Sequence, residues 1–342
     1  MVSTKKAPTI QDVARHAKVS AATVSRVLSN PERVSEATRE RVNLAVRETG
    51  YTVNQAARSL RMRTARTILI ALPDIGNPFY STILDAVVDE AASRGYGVMV
   101  ANRFSGEASR LLRDYFLSSR ADGLLLFDGG VDTSVLQVLA TPDDHVPLVV
   151  SFDESPSADV AAVLVDNLEA AERATDYLIS QGHTKIGHIV GPSRNALPNL
   201  RLSGFKNAMR RAGLEIRPEW MFEGDYSMLG GIAAAESLLK LGSMPTAVFS
   251  GNDEMAIGFL SKLRQAGIEC PRDISVIGFD DIAIAVNYWP RLTTMRQPRE
   301  QIGRLATESL IDILEGEAAP GAPRRITLRC DLVVRDSVRA IT

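Results

Sequence analysis

From Arg66 onward, short apolar runs alternate with longer amphipathic stretches, and the alternation is completed twice. TILIALP, YGVMVAN, DGLLLFD and PLVVSF are separated by helical spacing over Phe79 to Arg94 and Glu107 to Ser119. After AAVLVDN the rhythm resumes. KIGHIVG, TAVFSGN and ISVIGFD alternate with helical patterns over Leu168 to Gln181, Leu202 to Ala212, Leu229 to Leu241 and Glu254 to Ala266. Strands apolar on both faces need helices on both sides, so the pattern predicts βαβ units, an α/β body of two doubly wound parallel-sheet lobes. The chain then crosses back: LTTM reads as strand, Gln301 to Leu314 as helix, and RITLRCDLVVRDS closes with strand alternation. Crossing connections of this kind let two lobes hinge about a ligand.

The motifs of the commoner α/β enzymes are absent. Leu72-Pro73-Asp74 stands where a dinucleotide enzyme needs its glycine turn, and no Gly-Lys-Ser/Thr, Gly-x-Ser-x-Gly or His-Glu-x-x-His occurs. The reading is therefore a binding protein, not an enzyme, with no cofactor and no metal. Cys270 and Cys330 are too few and too isolated for a disulfide scaffold or a zinc site, and read as reduced structural thiols. The opening MVSTKKAPTIQDVARHA has no apolar stretch behind its lysines, and no run reaches the roughly 18 residues of a membrane span. The expected location is cytoplasmic and nucleoid-associated, with no membrane partner.

The formal net charge of −2 conceals an asymmetry. Residues 1–66 carry 13 Lys+Arg against 5 Asp+Glu, a net of +8, which leaves −10 on the remainder. A basic head favours phosphate backbones through counterion release, while an acidic body avoids wrapping them. The head reads as small and all-α. Thr9 caps a helix that runs to about Ala17, with Asp12 three residues on; Ser20 caps a second, Ala21 to Leu28; Ser35 caps a third, Glu36 to Thr49, stopped by Gly50. Two short helices joined by Lys18-Val19 suggest a helix-turn-helix, whose second helix enters the major groove. Arg26 on its outward face can pair with guanine O6 and N7, worth about 1–3 kcal/mol of discrimination.

The stretch DVARHAKVSAATVSRVLSNPERVSEATRERV, followed by GY, resembles the head of the lac repressor family. The body resembles that family's periplasmic-binding-protein-like effector domain, with NPFY, LVDN, HIVGP, RLSGF, TAVFSGND, MAIG, VIGFDD and LTTMRQP in order. The resemblance implies a transcriptional repressor that binds a palindromic operator in double-stranded DNA as a homodimer, under control of a small effector: a sugar, a sugar derivative or a nucleoside. It implies that Ala21 and Ala22 read bases, with Thr23, Ser25 and Arg26 on phosphate or bases. It also implies that Asn54 to Leu60 is a hinge helix, with Ala57 packing hinge on hinge, Arg58 near phosphates and Leu60 wedged between central bases. Thr9, Ser20 and Asn54 complete the expected DNA-binding set.

In open α/β sheets ligands bind beyond the carboxyl ends of the strands. That rule selects Asn77, Phe79, Tyr80, Asp128, Asp153, Asp166, Asn167, Asn195, Arg201, Asn252, Asp253 and Asp280. Carboxylates, amides and a guanidinium suit vicinal hydroxyls, and rings stack on an apolar sugar or base face. By resemblance, Arg201 and Asp280 are the polar clamps, Phe79 and Tyr80 the stacking rings, and Tyr226 a second aromatic wall. The expected domains are 1–53 (helix-turn-helix), 54–66 (hinge and linker) and 67–342 (effector binding and dimerisation). Within the last, lobe one takes about 67–162 and 293–322, and lobe two 163–292 and 323–342. Two rival readings are a transporter's solute-binding module, which the basic head opposes, and a sugar-acting enzyme, which rests on the pocket carboxylates alone.

Overall fold

The computed structural model of the protein describes residues 8–52, 64–102, 115–116, 118, 120–127, 146–151, 160–192, 196–317 and 324–341. The chain divides into two compact units, the second beginning at Arg66.

The first unit contains α1 (Ile10–Ala17), α2 (Ala21–Ser29) and α3 (Glu36–Thr49). Local caps set each length. The Thr9 N–H and hydroxyl both donate to Asp12 Oδ2, at 2.9 and 2.7 Å. Lys18 ends α1 in the left-handed region, and Gly50 ends α3 at φ 65°, where glycine is unstrained. The core is Val13, Ala14, Ala17, Val24, Val27, Val42 and Ala45, backed by Ile10, Leu28, Val46 and Tyr51. His16 Nε2 meets Glu48 Oε2 at 2.5 Å and ties α1 to α3.

The second unit starts with β1 (Thr67–Leu72), α4 (Phe79–Ser93), β2 (Gly97–Asn102), β3 (Gly123–Leu126), β4 (Leu148–Ser151) and β5 (Ala161–Val165). It continues with α5 (Asn167–Ser180), β6 (Ile186–Val190), α6 (Ala196–Arg211), β7 (Met221–Glu223), α7 (Met228–Leu239), β8 (Ala247–Ser250), α8 (Asp253–Gln265) and β9 (Ser275–Asp280). It ends with α9 (Ala283–Asn287), β10 (Thr293–Arg296), α10 (Arg299–Glu315), β11 (Arg325–Leu328) and β12 (Asp331–Val333). Among the described residues the strands make two sheets, β2-β1-β3-β4-β5-β11 and β7-β6-β8-β9-β10-β12. The ladders are parallel except β10 with β12.

Both sheets reverse order at their first strand, β1 or β6, which makes the crevice beyond that strand's carboxyl end the natural ligand position. The buried strands read as expected: Ile68 to Leu72, Leu124 to Leu126 and Ser275 to Asp280 are buried throughout. The chain passes between lobes at β5 to α5, β10 to α10 and β11 to β12.

The expected lobe boundaries need moving. All of β5 pairs with β4 and β11, so lobe one runs through Val165 and takes Arg325–Leu328; β10 pairs with β9, so Thr293–Arg296 belongs to lobe two. The reason is that AAVLV and LTTM are buried in either sheet, and an apolar run carries no mark of which sheet it joins. The α6 helix also begins at Ala196, ahead of the expected Leu202.

Candidate functional site

In the first unit the outward side of α2 carries the predicted reading residues. Val24 and Val27 face the core, Ala22 and Arg26 are exposed, and Ala21, Thr23 and Ser25 are half-buried. Ser20 caps α2, its Oγ accepting from the Thr23 N–H at 3.1 Å, and the Ser20 and Thr23 hydroxyls share a hydrogen bond of 2.8 Å. Thr9 sits at the start of α1, bonded to Asp12. Asn54, Ala57, Arg58 and Leu60 lie outside the described residues, as do Asp128, Asp153 and Asn195.

In the second unit the predicted clamps come together. Arg201, on α6, is buried. Its Nε donates to Asn167 Oδ1 at 2.8 Å, and its Nη1 donates to the Gly251 carbonyl. The guanidinium carbon stands 3.7 Å from the Phe279 ring centroid and 5.7 Å from that of Tyr226. The α6 helix can approach this closely because position 204 is glycine; a Cβ there would overlap the Leu168 carbonyl of α5. Asp280 ends β9, buried and at φ 117°. Gln297 Nε2 donates to its Oδ1 at 2.7 Å. Burial raises the Asp280 carboxyl to about 6, against the pull of Arg201, the Gln297 hydrogen bond and Arg299.

The first-lobe side is aromatic. Phe79 and Tyr80 open α4, their rings edge to face at 5.1 Å, and Asn77 Oδ1 accepts from the Phe79 N–H at 2.9 Å to start the helix. Ser151, at the end of β4, is buried with no hydrogen-bond partner for its Oγ. Tyr226, at φ 69°, packs its ring on Gly191, where a Cβ would collide with it.

Other predicted residues are engaged in holding the chain. Asp166 Oδ1 accepts from Glu169 N at 3.0 Å and caps α5. Asn252 caps α8, with Oδ1 accepting from Met255 N and Nδ2 donating to the Tyr226 carbonyl, both at 2.9 Å. It thus positions Tyr226, and both ends of its amide are in use. Asp253 is buried beneath the site, bonded to the Thr294 hydroxyl at 2.6 Å and the Ile282 N–H at 3.0 Å; burial, then the neighbouring Asp280, holds its carboxyl well above the usual range.

Sequence reasoning missed Gln297, Arg299 and His188. Gln297 follows β10, so the same rule of residues just after strands selects it once LTTM is given its own strand end. Its Oε1 is buried with no hydrogen-bond partner, an acceptor left for a ligand or water. His188 lies stacked between Phe205 and Phe249 at 5.1 and 4.7 Å. Its Nδ1 meets the Phe249 carbonyl at 2.8 Å, which makes Nδ1 the protonated nitrogen and Nε2 a buried lone pair without a partner. Burial lowers its pKa to about 4, so the ring is neutral.

An open depression of about 710 Å³ beside edge strand β7, lined by Glu219, Glu223, Asp225, Phe222 and Leu241 among others, includes none of the predicted effector residues. Among the described residues no acidic, histidine or cysteine cluster could hold a metal, and no helix is long and apolar enough to cross a membrane.

Residues 9–54 match the profile of "Bacterial regulatory proteins, lacI family", and residues 175–338 that of "Periplasmic binding protein-like domain". The chain is 39% identical to the HTH-type transcriptional repressor CytR of Escherichia coli K12, over 98% of this chain and 97% of that one. It superposes on a lac repressor dimer bound to operator and the anti-inducer ONPF with a TM-score of 0.86, at 29% identity over 98% of this chain and 100% of that one. A transcriptional regulator CelR–cellobiose complex gives a TM-score of 0.74 at 33% identity, covering 96% and 99%.

Proposed function

The chain belongs to the lacI family and is a DNA-binding transcriptional repressor under small-molecule control, and from that premise we propose that its effector is a nucleoside held between the two lobes. The observation that carries the proposal is the division of chemistry across the cleft. The second lobe offers a buried guanidinium, Arg201, and a buried carboxyl, Asp280, with Gln297 beside it; that set suits the vicinal hydroxyls of a ribose. The first lobe offers the Phe79–Tyr80 ring pair, which suits the flat face of a base. A sugar without a base could use the clamp and lay its apolar C–H face on the rings; cellobiose in the CelR complex marks that alternative within the family.

The protein works as a homodimer on a palindromic operator, since a two-fold pair of heads reads two identical half-sites. The dimeric lac repressor structure supports this reading. Exposed apolar side chains at Val88, and at Ile284, Val286 and Trp289, are candidates for burial between subunits. Leu60 serves as the minor-groove wedge, so Leu60→Ala lowers operator affinity without lowering the unfolding temperature of the body; unchanged affinity removes the wedge role.

Thermal unfolding against nucleosides, pentoses, hexoses, sugar alcohols and sugar phosphates tests the effector class. A ligand at 100 times its Kd stabilises by about 2.7 kcal/mol. A shift with cytidine or adenosine and none with free ribose supports a nucleoside. A shift with a hexose or disaccharide alone replaces it with a sugar, and a turnover assay on the same compounds tests the enzyme reading.

A further inference from the structure

Arg299 touches both lobes. It opens α10, a first-lobe helix, directly after the Gln297–Pro298 crossing. Its Nη2 donates to the main-chain carbonyl of Asp281, in the second lobe, at 2.7 Å. Its Nη1 reaches the main-chain carbonyl of Phe79, in the first lobe, at 3.4 Å, and the guanidinium carbon stands 5.9 Å from the Phe79 ring centroid. We propose that Arg299 is the coupling residue of the repressor, a positioning residue whose fork ties the first-lobe ring pair to the second-lobe acidic turn, so that effector occupancy and lobe spacing change together. The proposal rests on the cleft being the effector site.

Three physical points carry it. First, the position is a poor one for the helix itself. A cation in the first turn opposes the helix macrodipole, so what Arg299 contributes lies in its contacts rather than in α10. Second, the turn it holds is strained. Asp280 and Asp281 have φ of 117° and 56°, in the left-handed region that favours glycine. Within the second lobe, Arg296 Nε and Arg335 Nη2 hold the two Asp281 carboxylate oxygens, each at 2.6 Å. Arg299 holds the same residue's carbonyl from the opposite lobe, so a movement of lobe one reaches the turn that presents Asp280.

Third, the two contacts are unequal. Charge-assisted N–H···O bonds are normally about 2.7–2.9 Å. The Asp281 contact is already at that length, and the Phe79 contact is stretched to the edge of bonding. Movement between the lobes acts on the Asp281 bond, the one that crosses between them, and the same guanidinium passes it to the Phe79 carbonyl within lobe one. The planar guanidinium fork serves two carbonyls at once, which a lysine ammonium on its flexible stem does not reproduce.

The test uses the full-length protein and its operator, with Arg299→Gln and Arg299→Lys. Without effector, hydrogen exchange of Arg299→Gln is expected to rise in both 79–84 and 281–287; a rise confined to 281–287 makes Arg299 a local prop of its turn and overturns the bridge. Operator affinity is then measured by fluorescence anisotropy with and without saturating cytidine or adenosine. The wild-type response, of the order of 5- to 150-fold for ordinary coupling, is expected to shrink to about twofold or less in both variants. Full rescue by lysine assigns charge alone and sinks the fork. A wild type that ignores both cytidine and adenosine refutes the nucleoside reading, and the exchange experiment then decides the bridge on its own. Should Arg299→Gln fail to fold by circular dichroism, Arg299→Lys carries both measurements.

Discussion

The head and the body place their working residues in opposite settings. In the head, the core is seven small aliphatic side chains, and the residues proposed to read DNA sit outside it: Ala22 and Arg26 are exposed, and Ser20 and Thr23 bond to each other three residues apart. In the body, Arg201 and Asp280 are themselves buried, and their partners are 34, 50 and 17 residues away in the chain. Chemistry in the head can therefore be changed with little cost to folding, whereas chemistry in the body is part of what holds the body together. Operator preference and effector response are separable by mutation to different degrees for this reason.

The largest expected effect is Arg201→Ala. Removing a buried cation leaves Asn167 Oδ1 and the Gly251 carbonyl without their donor, a loss of about 1–3 kcal/mol of body stability for each, as well as the loss of effector binding. Urea unfolding of the full chain measures the first and calorimetry the second. A variant that lost effector but kept full stability would break the comparison, because Arg201 would then be as dispensable to the fold as a head residue.

The next effect is on pH dependence, where two buried groups act with opposite sign. His188 titrates near 4 in the fold against 6.5 unfolded, so its contribution is complete above pH 6.5 and lost as pH falls toward 4. Asp280 titrates near 6 against 3.8, so its contribution is complete below pH 3.8 and lost as pH rises through 6. Each is on the order of 3 kcal/mol, at 1.36 kcal/mol per pH unit, and they oppose one another between pH 4 and 6. Relative to wild type, His188→Phe should gain stability as pH falls across that window, and Asp280→Asn should lose it. Urea midpoints at pH 4, 5 and 6 read both slopes, and parallel slopes would show that these residues are not the titrating pair.

Arg26→Ala should then lower operator affinity by about 1–3 kcal/mol and relax preference at one base position. Its unfolding midpoint should match wild type, since Arg26 is exposed. A shifted midpoint would place the side chain in the head's core economy and erase the contrast with Arg201.

How far the sequence could be read follows the same division. The head was legible to within a residue: α3 runs Glu36–Thr49 as expected, because Ser35, Gly50 and the apolar spacing are all local. In the body the strands, the parallel pairing and the place of Arg201 and Asp280 just beyond strands were legible, since βαβ rhythm and residues just after strands are sequence properties. The lobe assignment of β5 and β10 was not, because it depends on which ladder a buried strand joins. Arg299 escaped for a plainer reason. Its first-lobe partner Phe79 is 220 residues away, and nothing in Arg-Gln-Pro-Arg announces that its fork also reaches the Asp281 carbonyl in the other lobe. His188 reads as one more strand residue until Phe205 and Phe249 close on it.

The smallest effect is the most direct probe of independence between the two units. Ser20 Oγ accepts from Thr23 N at 3.1 Å and its hydroxyl meets that of Thr23 at 2.8 Å, so it both caps α2 and orients a residue expected to touch DNA. Ser20→Ala removes one satisfied helix-end donor, worth about 1 kcal/mol, whereas Ser20→Gly costs only a few tenths. Hydrogen exchange in the full-length chain should therefore speed up across α2 in Ser20→Ala while amides of β1, β3 and β9 keep their rates. Operator affinity should fall modestly, and Ser20→Asp should restore the exchange protection without restoring affinity, because a carboxylate caps the helix but repels phosphate. Faster exchange in the body strands would mean that the head's stability is linked to the body's, and the separation of reading from sensing would have to be abandoned.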